Sequence, residues 1–312
     1  MLKLNFNKKT IRGSLARQLI RLGVRLEAID PLGPLNFGRL YTTVLSENYR
    51  FPRSVKAEWI THKTARMEMV RSVGREPQNL IIQFHGGAYI HGYSDTYRRS
   101  ACKFLDLAQA TAVLSLDYRL APVHPFPAAL EDAIAAYEYA LSAGFPPERI
   151  IFTGDSAGGG LALALGLYLR DHQQPLPKAI ITMSAWTDLA LEGESYLRNK
   201  PLDPMLGEKI DLLDIDGYVG NADVRNPYVS PAYGDYTGFP PLMLHVGSYE
   251  VLESDTLTVA KKAAAAGVSV EATIYRGMFH VFQLAFGLIP EAKKAWREIA
   301  AFINRQLSQE GA

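Results

Sequence analysis

Apolar positions follow two rhythms along this chain. From residue 79 onward, short continuous runs ("NLIIQF", "AVLSLDY", "RIIFTG", "KAIITMS", "PLMLHVG" and "VSVEATIYR") alternate with stretches whose apolar residues recur every three or four positions. A continuous run of about six residues marks a strand buried on both faces, and the three-to-four spacing marks a helix with one buried face. The spacing predicts helices over 97–110, 127–143 and 157–170, another along "DTLTVAKKAAAAG", and a closing helix from Pro290 to about Leu307. Gly144 supplies a stop for the second of these. Strand and helix in turn predict a mostly parallel sheet with helices on both faces. Ahead of this region, "VKAEWITHK" and "ARMEMVRSV" read as an antiparallel pair, and residues 190–227 break the rhythm with scattered Pro, Gly and acids, as an insertion does.

The chain's start follows a different pattern. Ile11, Leu15, Leu19, Leu22, Leu26 and Ile29 recur at helical spacing, while residues 1–25 hold seven Lys or Arg and no acid. The remainder has 26 basic and 32 acidic residues, a balance of about −6 that offers nothing to nucleic acid. This is an amphipathic helix without the continuous apolar centre of a secretory signal. A transit peptide or a membrane-surface helix would share the pattern. The reading adopted is a helix laid on the protein's own surface, joined to the body by the Pro/Gly-rich "DPLGPLNFG". At 312 residues the chain suits one domain with an insertion, and no apolar run is long enough to cross a bilayer. The single cysteine, Cys102, excludes an internal disulfide and fits a reducing compartment, so a cytoplasmic location is expected.

Candidate chemistry sits where strands are predicted to end. "GDSAG", Gly154–Gly158, places Ser156 at a strand-to-helix junction, where glycines tolerate the sharp turn and the helix N-terminus favours developing negative charge. The competing reading is a glycine-rich packing site with an incidental serine. "HGGA", His85–Ala88, follows another strand, and the N–H groups of Gly86 and Gly87, with that of Ala157, are the expected donors to an oxyanion. His85 reads as a support for that loop. A nucleophilic serine needs a base. Of seven histidines, His280 in "RGMFHVF" follows the last predicted strand, whereas His245 lies within an apolar run, His62 on an early strand, His124 in a proline-rich loop and His172 at a helix end. The acid that orients the base is assigned to Glu250, just past a strand end. Asp188 is its rival in a similar loop one strand earlier, and Asp255 is placed to favour a helix N-terminus.

"HGGA", "DYRLAP" (Asp117–Pro122), "GDSAGG" and "GMFH" together resemble the hormone-sensitive-lipase-like branch of the α/β-hydrolases, the bacterial family IV esterases, over the chain from about residue 55. The order Ser156, Glu250, His280 is also that of the α/β-hydrolase arrangement. The resemblance implies an eight-stranded, mostly parallel sheet with a helical cap. Residues 1–50 and 190–227 would form the cap, and 51–189 and 228–312 the core. It further implies hydrolysis of short-chain carboxylic esters through an acyl-enzyme, with a small-molecule ester as partner and no metal or organic cofactor. Two departures are visible: the family usually carries aspartate where this chain has Glu250, and often glutamate where it has Val123. An amidase or carbamate hydrolase would use the same groups, and some plant hormone receptors resemble these enzymes without hydrolysing. An exposed last strand would permit pairing into a homodimer.

Overall fold

The continuous apolar runs become strands because both of their faces are covered: every residue of Asn79–Phe84, Ile150–Asp155, Ala179–Met183 and Leu242–Gly247 is buried. These belong to a computed structural model that describes residues 1–29, 49–108 and 110–308; the joint at 30–38 lies outside them. Among the described residues one sheet holds β1 (Leu2–Phe6), β2 (Val55–His62), β3 (Ala65–Ser72), β4 (Asn79–Phe84), β5 (Thr111–Asp117), β6 (Ile150–Asp155), β7 (Ala179–Met183), β8 (Leu242–Gly247) and β9 (Val270–Tyr275). Their spatial order is β1-β9-β8-β7-β6-β4-β5-β3-β2. Only β2 with β3 and β3 with β5 pair antiparallel. The main helices are α1 (Ile11–Ile29), α2 (Asp95–Leu107), α3 (Ala128–Ser142) and α4 (Ser156–Asp171); short α5 (Ser195–Arg198) and α6 (Ile215–Val219) lie in the insertion, before α7 (Glu253–Ala265) and α8 (Pro290–Ser308).

Alternate strand residues feed two cores. Ile81, Val113, Ile151, Ile181 and Met243 meet Phe104 of α2 and Trp296, Ile299 and Phe302 of α8. Leu80, Ile82, Leu114, Phe152, Ile180 and Leu244 meet α3, α4 and α7 on the other face. There Phe152 takes Phe84 and Tyr137 edge-on, with centroids 5.8 and 5.3 Å away.

Strand order and register position the chemistry. The chain leaves β4 for β5 on one side, then crosses to β6 on the other, so loops diverge between β4 and β6, where open α/β sheets hold ligands. Phe84 pairs with Gly154, Asp155 with Met183, Met183 with His245, and Gly247 with Tyr275. The carboxyl ends of β4, β6, β7, β8 and β9 therefore finish along one edge.

The beginning of the chain departs from the sequence reading twice. Residues 2–6, assigned there to the cap, add a ninth strand parallel to β9, with Leu2 opposite Val270 and Phe6 opposite Ile274. The edge of β9 expected to be open for a second copy is thus filled by the chain's own start. Helix α1 lies on the protein surface, but with the opposite face inward. Gly13 and Gly23 are buried, and Ala16 and Ile20 pack against the cluster around Tyr275, Met278, Phe279 and Phe282. A Cβ at Gly13 would lie 2.5 Å from Met278 Cε, so α1 approaches closely only because its inner face is small. Ile11, Leu15, Leu19 and Leu22 point outward.

Candidate active site

Ser156 opens α4 directly after β6, with φ at +51°, a left-handed conformation that is uncommon for residues other than glycine. The turn closes because its flanks carry no side chains: a Cβ on Gly154 would lie 2.2 Å from the Gly158 carbonyl oxygen, and one on Gly158 would lie 2.2 Å from that of Phe84. The hydroxyl is thereby held at the first turn of a helix whose free N–H groups face the carboxyl edge of the sheet.

Two loops bring partners to it. His280 follows β9, and its Nε2 lies 3.0 Å from Ser156 Oγ. Its Nδ1 lies 3.0 Å from Glu250 Oε2, in the loop after β8. The second oxygen of Glu250 accepts the Gly247 N–H and the Ser184 hydroxyl, the latter at 2.8 Å. Ser184, at the end of β7, also accepts the Val281 N–H at 3.1 Å, so one hydroxyl ties the acid's loop to the base's loop. From the insertion, Asn199 Nδ2 donates to the Glu250 carbonyl at 2.7 Å, and the Asp203 carboxylate accepts the Val251 N–H. Burial pulls the imidazole pKa down, but the Glu250 carboxylate beside it, with Asp203 and Asp155 further off, more than reverses this and raises His280 above the ordinary 6.5.

The rival acids point elsewhere. Asp188 accepts the N–H groups of Ala190, Glu192 and Gly193 and the Tyr233 hydroxyl, and so shapes the start of the insertion. Asp255 accepts the N–H groups of Thr187 and Asp188, with its carboxyl pushed up to about 8, chiefly by burial. His245 is a core residue of β8 that burial holds down to about 4.

Of the three amides expected as oxyanion donors, one is already engaged. The Gly86 N–H donates to the Tyr97 hydroxyl at 2.8 Å, and that hydroxyl donates to Asp155 Oδ2 at 3.2 Å. In this structure the Gly86 N–H, expected as an oxyanion donor, is held by the hydroxyl that ties the two loops together. Gly87 and Ala88 border the Ser156 cavity, and their amides donate to nothing among the described residues. Gly87, Ala88 and Tyr89 all have positive φ, so the loop turns back on itself over three residues. His85 holds the loop from beneath: it donates through Nδ1 to the Gly86 carbonyl and stacks on Tyr118 at 4.0 Å, while burial keeps it neutral with a pKa near 4. Tyr118 donates to the His85 carbonyl, and the Ala121 N–H to that of Tyr89. This bracing makes no use of Val123, which is 78% exposed.

The cavity beside Ser156 and His280 has a volume of about 360 Å³ and is walled by Trp186, Leu252, Val281 and Leu284, with Leu206 and Ile210 from the insertion. A larger hollow of about 720 Å³, among Glu58, Arg71 and Arg149, lies at the opposite end of the strands and shares no residue with it.

Fold and site together define the α/β-hydrolase class. A family model for the alpha/beta hydrolase fold matches residues 81–284. The chain is 41% identical to an acetyl-hydrolase of Streptomyces hygroscopicus over 246 residues, covering 78% of this chain and 81% of that one. It is 38% identical to an esterase of Acinetobacter venetianus over 227 residues, 72% and 74% of the two chains. A crystal structure of an esterase from the bacterial hormone-sensitive lipase family superimposes with a TM-score of 0.84 at 32% identity, covering 97% of this chain and all of that one. The chain belongs to the α/β-hydrolases, in their hormone-sensitive-lipase-like branch.

Two outcomes follow from this geometry. Only neutral His280 can accept a proton, so kcat/KM for an activated ester falls as pH drops through its pKa, with a midpoint above 6.5. Glu250→Gln removes the charge that raises that pKa, so the midpoint moves to lower pH and kcat falls; a pH–rate profile of both proteins, with an unmoved midpoint as the contrary result, checks this. Tyr97→Phe removes the bridge between Gly86 and Asp155, lowering unfolding free energy by about 1–3 kcal/mol in denaturant titration and reducing kcat severalfold.

Proposed function

We propose that the protein is a serine carboxylesterase that hydrolyses short- to medium-chain carboxylic esters through an acyl-enzyme. The observation that carries this reading is the unbroken row Ser156 Oγ, His280 Nε2, His280 Nδ1, Glu250 Oε2, with both contacts at 3.0 Å, beside unengaged amides. His280 takes the serine proton as Oγ attacks the ester carbonyl. Glu250 holds the imidazole with Nδ1 protonated and stabilises the cation that forms. The amides of Gly87, Ala88 and Ala157 receive the oxyanion, each worth roughly 2.7–4 kcal/mol in the transition state. The tetrahedral intermediate collapses as His280 returns the proton to the leaving alcohol. Water, deprotonated by the same imidazole, then attacks the acyl group and frees the acid.

The names of the relatives, esterase and acetyl-hydrolase, support ester over amide or carbamate. In this reading α1 and residues 190–227 act as the cap, since Met205, Leu206 and Ile210 wall the cavity and α1 packs, as Met205 does, on the cluster around Met278 and Phe279. A cavity of about 360 Å³ is near the lower end for small-molecule sites and favours short acyl chains. No helix among the described residues is long and apolar enough to cross a membrane, and a lone cysteine supports a cytoplasmic setting.

The test is hydrolysis of p-nitrophenyl esters from acetate to palmitate by wild type and Ser156→Ala. Turnover should be greatest at acetate to butyrate, decline through octanoate and vanish at palmitate, and the variant should lose at least about a thousandfold in kcat throughout. Equal turnover by the variant would refute the assignment.

A further inference from the structure

Helix α1 carries four large apolar side chains on the wrong face for a helix that only covers its own protein. Ile11, Leu15, Leu19 and Leu22 form one stripe at spacings of four, four and three, and are 81, 53, 62 and 56% exposed. The inward face is built instead from Gly13, Ala16, Ile20 and Gly23. Single exposed leucines are ordinary on soluble proteins, but an aligned row of four is an interaction surface.

Charge identifies the partner. Residues 1–25 contain no acid. Lys8, Lys9 and Arg12 are exposed at the start of α1, and on the helical projection Arg12 borders the stripe on one side, while on the other Ser14 and Gln18 stand between it and Arg21. Arg21 is held in place by donating to the Pro201 carbonyl of the insertion. An apolar stripe bordered by cations is the pattern of a helix that lies flat in a lipid interface, with leucines among the acyl chains and arginines at anionic headgroups. A protein partner would need an apolar groove ringed with acids, and the β9 edge is covered by β1, whose own outer edge is only five residues long and carries Lys3, features that disfavour edge pairing with a second copy.

Docking there would also affect the site. Ala16 and Ile20 of α1 pack on the same apolar cluster, around Tyr275, Met278, Phe279 and Phe282, as Met205, a wall of the cavity beside Ser156, so docking on the outer face of α1 would bear on the acyl pocket through that shared cluster. We propose that α1 docks the protein peripherally on an anionic lipid surface through the stripe Ile11, Leu15, Leu19 and Leu22 and its bordering cations. This holds whether or not the catalytic assignment does.

The experiment is flotation of the full-length chain with vesicles of phosphatidylcholine alone and of phosphatidylcholine with 30% phosphatidylglycerol, at low and high salt, alongside p-nitrophenyl acetate hydrolysis. Wild type should float with the anionic vesicles, less so in high salt and hardly at all with neutral ones. Leu15→Asp/Leu19→Asp should lower the partition coefficient at least about tenfold. Lys8→Glu/Arg12→Glu should lower it by about fivefold or more per charge removed. Both variants should keep wild-type turnover, which shows that they are folded. The proposal is overturned if wild type does not float, if it floats equally with neutral vesicles, or if both variants float like wild type. It is equally overturned if sedimentation shows a wild-type dimer that Leu15→Asp/Leu19→Asp dissociates while no vesicle binding occurs, since the stripe would then join two copies.

Discussion

The parallel register of β4, β6, β7, β8 and β9 is the constraint on which the rest of the molecule depends. Parallel strands buried on both faces need long apolar runs and helical crossovers, and they deliver successive loops to the same edge. Here those loops carry the Gly86–Ala88 turn, Ser156, Ser184, Glu250 and His280 in strand order. Each reactive group is one or a few residues beyond a strand end, so its position is set by the sheet and not by a flexible loop. A slip of one residue in any of these strands would turn its side chains to the opposite face and move its loop, breaking the row of two 3.0 Å contacts.

The site is held by side chains outside the row of Ser156, His280 and Glu250. Tyr97 links the turn after β4 to Asp155 at the end of β6; Ser184 links the loops after β8 and β9; Asn199 and Asp203 fasten the Glu250 loop to the insertion. These bonds fix donors and acceptors before substrate arrives, which is what makes electrostatic stabilisation of an oxyanion effective. The insertion thus has two roles: Leu206 and Ile210 wall the pocket, and Asn199 steadies the acid.

What was legible in the sequence followed from burial and strand ends. The runs from "NLIIQF" to "VSVEATIYR" stood out because strands covered on both faces admit few polar residues, and Ser156, Glu250 and His280 stood out because each follows such a run. Three things were hidden for physical reasons. "LKLNF" is five residues with alternating polarity, too short to separate from the basic helix after it. The orientation of α1 was concealed because glycine and alanine, which packing needs at the close approach to Met278, carry little hydrophobic signal, while the leucines that dominate the pattern face outward. The engagement of Gly86 was concealed because it depends on Tyr97, eleven residues away on α2, and Ser184 lies 66 residues from Glu250.

The central claim is that Ser156 carries the acyl group. Its most direct test is intact-mass and peptide analysis of enzyme acid-quenched during turnover of p-nitrophenyl acetate. The account predicts one added acetyl group, on the peptide containing Ser156, absent in Ser156→Ala and reduced in His280→Ala. Steady hydrolysis with no acylated protein, or with the acetyl group on another residue, would contradict it.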